Sequence, residues 1–139
     1  MMKVLVAYDG SDPSKKALDK GIEMASNLGA ELVLLTVTEP VCPLGVTEQD
    51  CAQMYDILKR QSEEILKHIQ GELVQRQVKA RTLVRTGSPA ETIVEVGEKE
   101  GVDMIVIGSH GRHGAKRFFL GSVSSRVASH TNVSVVLVK

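Results

Sequence analysis

The chain has 139 residues with 17 basic and 17 acidic side chains, so its formal charge is zero and its length suits one domain, residues 1–139, able to bury a substantial core without disulfide or metal staples. Zero net charge implies no general affinity for nucleic acid or an anionic membrane surface, and two Phe, two Tyr and no Trp provide no aromatic platform for stacking bases. The opening MMKVLVAYDGS lacks a long apolar region and a small-residue cleavage site, and its apolar run is too short to cross a bilayer, so a cytoplasmic protein is expected.

Lys3 to Ala7 reads as a buried strand that stops where the turn formers Tyr8, Asp9, Gly10 and Ser11 take over. Ser11 or Asp12 can cap a following helix, Pro13 suits its first turn, and Ala17, Leu18, Gly21, Ile22, Ala25 and Leu28 form one apolar face before Gly29 ends it. Glu31 to Thr38 is a second strand. The connection EPVCPLG, from Glu39 to Gly45, holds two prolines and must be irregular. Cys42 and Cys51 make neither a disulfide framework nor a zinc site. The expectation is two reduced thiols flanking a loop, with redox sensing as the alternative.

Thr47 with Asp50 resembles a capping box, from which a long helix continues to about Gln77 with Tyr55, Leu58, Ile65, Ile69 and Leu73 on the buried stripe. Its Lys59, Arg60, Glu63 and Glu64 read as a solvated face. Val78 to Arg85 carries Lys79, Arg81 and Arg85 on one parity, the pattern of an edge strand with one wet face. Ser88, Pro89 and Glu91 start a third helix that ends near Gly101. Asp103 to Gly108 is a fourth strand, followed by glycines at 108, 111, 114 and 121. Gly121 opens a helix, SVSSRVASH, with Arg126 and His130 in its last turn, and Val133 to Val138 is a fifth strand.

Five alternations of strand and helix call for an α/β domain with an open, mostly parallel sheet and helices on both faces. Within it, residues 103–123 read as strand, glycine loop and helix. Glycines let backbone approach a ligand and free helix amides attract anions, which points to a phosphate chain. Charge agrees: from Met104 onward there is no Asp or Glu, whereas Arg112, Lys116, Arg117, Arg126 and Lys139 are present. Arg112, Lys116 and Arg117 can steer an anion, or simply be solvated. His110 and His113 have no acid or thiol beside them to complete a metal set. Neither a Walker A sequence nor a GxGxxG fingerprint occurs.

Gly108, two residues, Gly111, nine residues, then Gly121 and Ser122 resembles the nucleotide-binding signature of the ATP-binding branch of the universal stress protein family. The opening KVLVAYDGSDPSKKAL and closing VSVVLVK are similar to that family's first and last strands, so the likeness covers the whole chain. The resemblance implies a Rossmann-like strand order 3-2-1-4-5, with Asp9 and Gly108 facing one crevice at the reversal point. It implies an ATP cradle of Gly108, Gly111, Gly121, Ser122 and the Ser122 and Val123 amides, with Ala7, Val37 and Ile107 bordering the adenine.

Asp9 is then placed to accept from a ribose hydroxyl or help hold Mg²⁺, although an Asx turn into Gly10 would explain it without a ligand. The implied role is a stress-response regulator that signals by nucleotide binding to client proteins, as a homodimer joined through Val133–Val138, an uncharged edge that natural proteins cover or pair. No nucleophile or general base is evident, so enzyme status is uncertain. A slow ATPase or an adenylyl- or phosphoryl-transfer enzyme of the same fold is the alternative.

Overall fold

The computed structural model describes residues 1–110 and 120–139. Its elements are β1 (Lys3–Ala7), α1 (Asp12–Leu28), β2 (Glu31–Thr38), α2 (Glu48–Gln75), β3 (Ala80–Thr86), α3 (Pro89–Glu100), β4 (Met104–Gly108), α4 (Ser122–His130) and β5 (Ser134–Val138). The strands form one sheet in the order β3-β2-β1-β4-β5, every pair parallel, as the family likeness implied. The order reverses between β1 and β4, where Val4, Leu5 and Val6 pair with Met104, Ile105 and Val106.

Alternation along the central strands splits the core into two layers. Val4, Val6, Leu32, Leu34 and Val106 pack against Ala17 and Ile22 of α1 and Leu66 and Leu73 of α2. Leu5, Val33, Leu35, Ile105 and Ile107 face the other way, onto Ala90, Ile93 and Val96 of α3 and Val127 of α4. Central strands covered on both sides explain the unbroken apolar runs in β1, β2 and β4. Each fully buried leucine contributes about 1.5–3 kcal/mol. No helix among the described residues is long and apolar enough to cross a membrane.

Three expectations need correction. Leu58 and Ile65 are 43% and 53% exposed; α2 buries Leu73 as expected, and Cys51 and Leu66 in place of those two. The helix has 28 residues, a length of roughly 42 Å, against roughly 26 Å for the eight-residue β2, so much of it overhangs the sheet. Second, α2 stops at Gln75 and β3 starts at Ala80, because Gln77 takes the left-handed conformation at φ 61° and Val78 N–H turns back to Leu73 O at 2.9 Å. Third, Cys42 and Cys51 are joined by a disulfide, their Cα atoms 5.6 Å apart. The α2 cap places Cys51 in the helix's first turn, directly across the loop from Cys42, and sequence spacing does not reveal that proximity.

Candidate functional site

In a parallel sheet the C-terminal ends of β1, β2 and β4 share one edge, and the predicted residues that the structure describes lie along it or at the start of α4. Beyond β1, Tyr8 N–H donates to Leu35 O at 2.8 Å and Thr36 Oγ1 donates to Tyr8 O at 2.7 Å, which holds the exit of β1 against β2. Gly10 then adopts φ +84°, turning the chain toward α1. Asp9 sits exposed at this lip. Its Oδ1 accepts from Ser11 N–H at 2.9 Å and from the Ser11 hydroxyl, so the Asx turn weighed from sequence is formed. Ser11 in turn caps α1, accepting from Ser14 N–H at 3.3 Å.

On the β4 side, Gly108 lies where a Cβ would come within 2.9 Å of both Pro13 Cβ and Pro13 O. The absence of a side chain at 108 is therefore needed for β4 to seat against α1, whatever else it permits. Ser109 follows, 1% exposed, and ties three segments together. Its N–H donates to Val138 O at 2.8 Å, and its carbonyl accepts from Gly121 N–H at 2.6 Å and Ser124 Oγ at 2.9 Å. The start of α4 is thereby pinned beside the end of β4. Gly121 is the N-cap of α4 and brings no side chain of its own to cap the Ser122 and Val123 amides at the first turn. Gly111 lies outside the described residues, as do Gly114, Arg112, His113, Lys116 and Arg117.

The apolar members of the predicted set converge. Ala7, Val37, Ile107 and Val123 all belong to the layer that faces α3 and α4, Ile107 as a buried core residue and the other three at its partly exposed margin. One predicted cation is already engaged: Arg126 donates to Glu91 Oε1 at 2.6 Å across the α3–α4 contact. Glu91 is held below the usual carboxylate range by the Ser88 hydroxyl first and the Arg126 charge after it. Among the described residues no three His, Cys, Asp or Glu side chains gather to form a metal site. A depression of about 270 Å³ lined by Arg85, Thr86 and Thr92 lies between β3 and α3, away from the β1–β4 junction.

The model of the universal stress protein family matches residues 1–139. The chain belongs to the universal stress protein family. It is 34% identical to universal stress protein YxiE of Bacillus subtilis, over 99% of this chain and 98% of that protein. UspA from Lactobacillus plantarum superposes with a TM-score of 0.89 at 21% identity, covering 99% of this chain and 97% of its own. A universal stress protein family protein from Arabidopsis thaliana, At3g01520, solved with AMP bound, gives a TM-score of 0.71 at 20% identity over 100% and 92% of the two chains.

In this universal stress protein, Ser109, Ser124 and Thr36 complete the frame, and the motif reading did not single them out. Ser124 had a local signal, a hydroxyl three residues beyond Gly121, where it also donates to Gly121 O at 3.0 Å. Ser109 acts through its backbone and had no such signal.

Proposed function

We propose that this universal stress protein is a cytoplasmic ATP-binding regulator, a single nucleotide-binding domain over residues 1–139 that works as a homodimer and reports nucleotide state to client proteins. The reading is carried by the closure of Ser109 onto Gly121, which puts the glycine-capped first turn of α4 beside the glycine that ends β4. Anionic phosphates are the ligands such a turn attracts. Gly108, Gly111 and Gly121 give the phosphate chain room, and the Ser122 hydroxyl with the Ser122 and Val123 amides donates to its oxygens. Ala7, Val37 and Ile107 border the adenine. AMP bound by a protein of the same fold supports a nucleotide as the ligand class.

Asp9 fits a magnesium ion as one carboxylate beside phosphate oxygens, since Mg²⁺ keeps most of its waters and takes one or two protein carboxylates. The ion would offset phosphate charge there, and the same carboxylate can accept from a ribose hydroxyl. Gly121 offers a clean test, because its φ of −64° and ψ of 158° suit any residue. Gly121→Val should fold normally and place two methyl groups where the phosphates approach. Calorimetry should show wild-type heat with ATP and magnesium, and loss of binding by at least about tenfold in the variant. Absence of heat with the wild type, or unchanged binding in a folded variant, overturns the reading.

A further inference from the structure

Residues 39–45, which leave the C-terminal end of β2 beside the crevice, are all exposed, and Val41 and Leu44 are 62% and 104% exposed. Their backbone contacts are local, Val41 N–H to Glu39 O at 3.0 Å and Val46 N–H to Pro43 O at 3.2 Å. What fastens this connection to a buried position is the bond from exposed Cys42 to Cys51, which is 2% exposed in the first turn of α2. The chain has no other cysteine, so neither thiol has a competing partner within it.

We propose that Cys42 and Cys51 are a reversible thiol–disulfide couple that fastens the β2–α2 connection when oxidised, releases it when reduced, and so adjusts the affinity of the neighbouring site. The two sulfurs differ in access, and that sets the chemistry. The exposed Cys42 thiolate attacks one oxygen of hydrogen peroxide and becomes a sulfenic acid as the O–O bond breaks, and the other oxygen leaves as hydroxide and takes a proton from solvent to become water. The Cys51 thiol then displaces the sulfenic hydroxyl as a second water and forms the S–S bond, the two sulfurs together supplying the two electrons that reduce the peroxide. A dithiol reverses this: one thiolate attacks Cys42 Sγ, Cys51 leaves as a thiolate and takes a proton, and the second thiol releases Cys42 and becomes a disulfide itself. A fastened connection has less conformational freedom to lose when a ligand docks, so the oxidised protein binds more tightly. The affinity step rests on the nucleotide reading above, and the fastening step does not.

The 139-residue protein treated with hydrogen peroxide is compared with the same protein in dithiothreitol. Trapping with iodoacetamide should label both cysteines in the reduced form and neither in the oxidised one. Backbone hydrogen exchange over residues 39–46 should be slower when oxidised, and calorimetry should give ATP affinity at least about fivefold tighter, the lower end of ordinary coupling. Cys42→Ser, a change at an exposed position, should fold and lose both responses. Labelling of both thiols after peroxide, or equal exchange in the two forms, overturns the couple. Equal ATP affinity in the two forms overturns the coupling alone, whereas no ATP binding in either form overturns the nucleotide reading and the coupling with it.

Discussion

A single Cβ decides the packing at Gly108. Alanine there would bring a methyl group to 2.9 Å from the Pro13 carbonyl oxygen, and backbone yields less readily than the end of a side chain. Gly108→Ala should therefore cost about 1–3 kcal/mol, the usual range for overpacking, measured by urea unfolding with no nucleotide present. Loss of nucleotide affinity in that variant without loss of stability would show that the packing constraint is not what holds the glycine. The opposite edge of the sheet is fixed by charge. Buried Glu31 accepts from Arg81 Nε at 3.0 Å and Lys79 Nζ at 3.3 Å, and Arg81 Nη2 reaches Glu100 at 2.7 Å. Burial pushes the Glu31 carboxyl up, but the hydrogen bonds from Arg81 and Lys79 outweigh it and hold the group low. Glu100 is lowered first by its hydrogen bond from Arg81.

Carboxylates with lowered folded values contribute stability that is fully present above their unfolded value, near ~4.3, and is lost as pH falls through the folded one. Arg81→Ala should cost about 1–2 kcal/mol at pH 7, discounted because Arg81 is 42% exposed. That difference from wild type should shrink below about pH 4, as both carboxyls protonate. A gap that stays constant down to about pH 2.5 in thermal melts would remove the network from the acid response.

Three helices end on a left-handed residue, and the one without glycine is the weak member. α1 and α3 stop at Gly29 and Gly101, at φ 61° and 63°, whereas α2 closes through Gln77 at φ 61°. Gln77→Gly should remove the Cβ penalty and, after the entropy of the unfolded chain is counted, stabilise by up to about 1 kcal/mol in denaturant unfolding. A destabilised variant would mean that the Gln77 side chain has a role of its own. The same residue explains why α2 was read two residues too long: glycine marked the other two stops, and Gln77 gave no such mark.

Legibility varied by element in this way. Strands buried on both faces announced themselves as apolar runs, and the strand order followed from the family likeness. Leu58 and Ile65 looked like core because an apolar period says which residues can be buried together, and a helix longer than its sheet leaves some of them in water. At the site, the ends of β1 and β4 and the start of α4 were legible from glycines and caps. The Ser109 carbonyl that joins them was not, since a backbone acceptor has no sequence signature.

For the whole molecule the consequential feature is the outer edge of β5, which no described strand pairs. Val138 O faces β4 through its bond from Ser109, and backbone groups alternate sides along a strand, so the Val135 and Leu137 amides point outward. Two copies joined antiparallel along this edge would satisfy those groups and close the assembly at two. Val135→Pro deletes an outward donor while sparing the β4 ladder, so it should convert dimers to monomers in light scattering, with little change in the circular dichroism of the fold. A monomer mass for the wild type at micromolar concentration would end the dimer proposal. The clasp at Ser109 has a different consequence, for the way the fold opens. Because Ser109 N–H donates to Val138 O and its carbonyl accepts from Gly121 N–H and Ser124 Oγ, the end of β4, the start of α4 and the end of β5 are held by one residue. The Ser109 and Gly121 amides should therefore share one opening free energy in native-state hydrogen exchange, as members of a single cooperative unit.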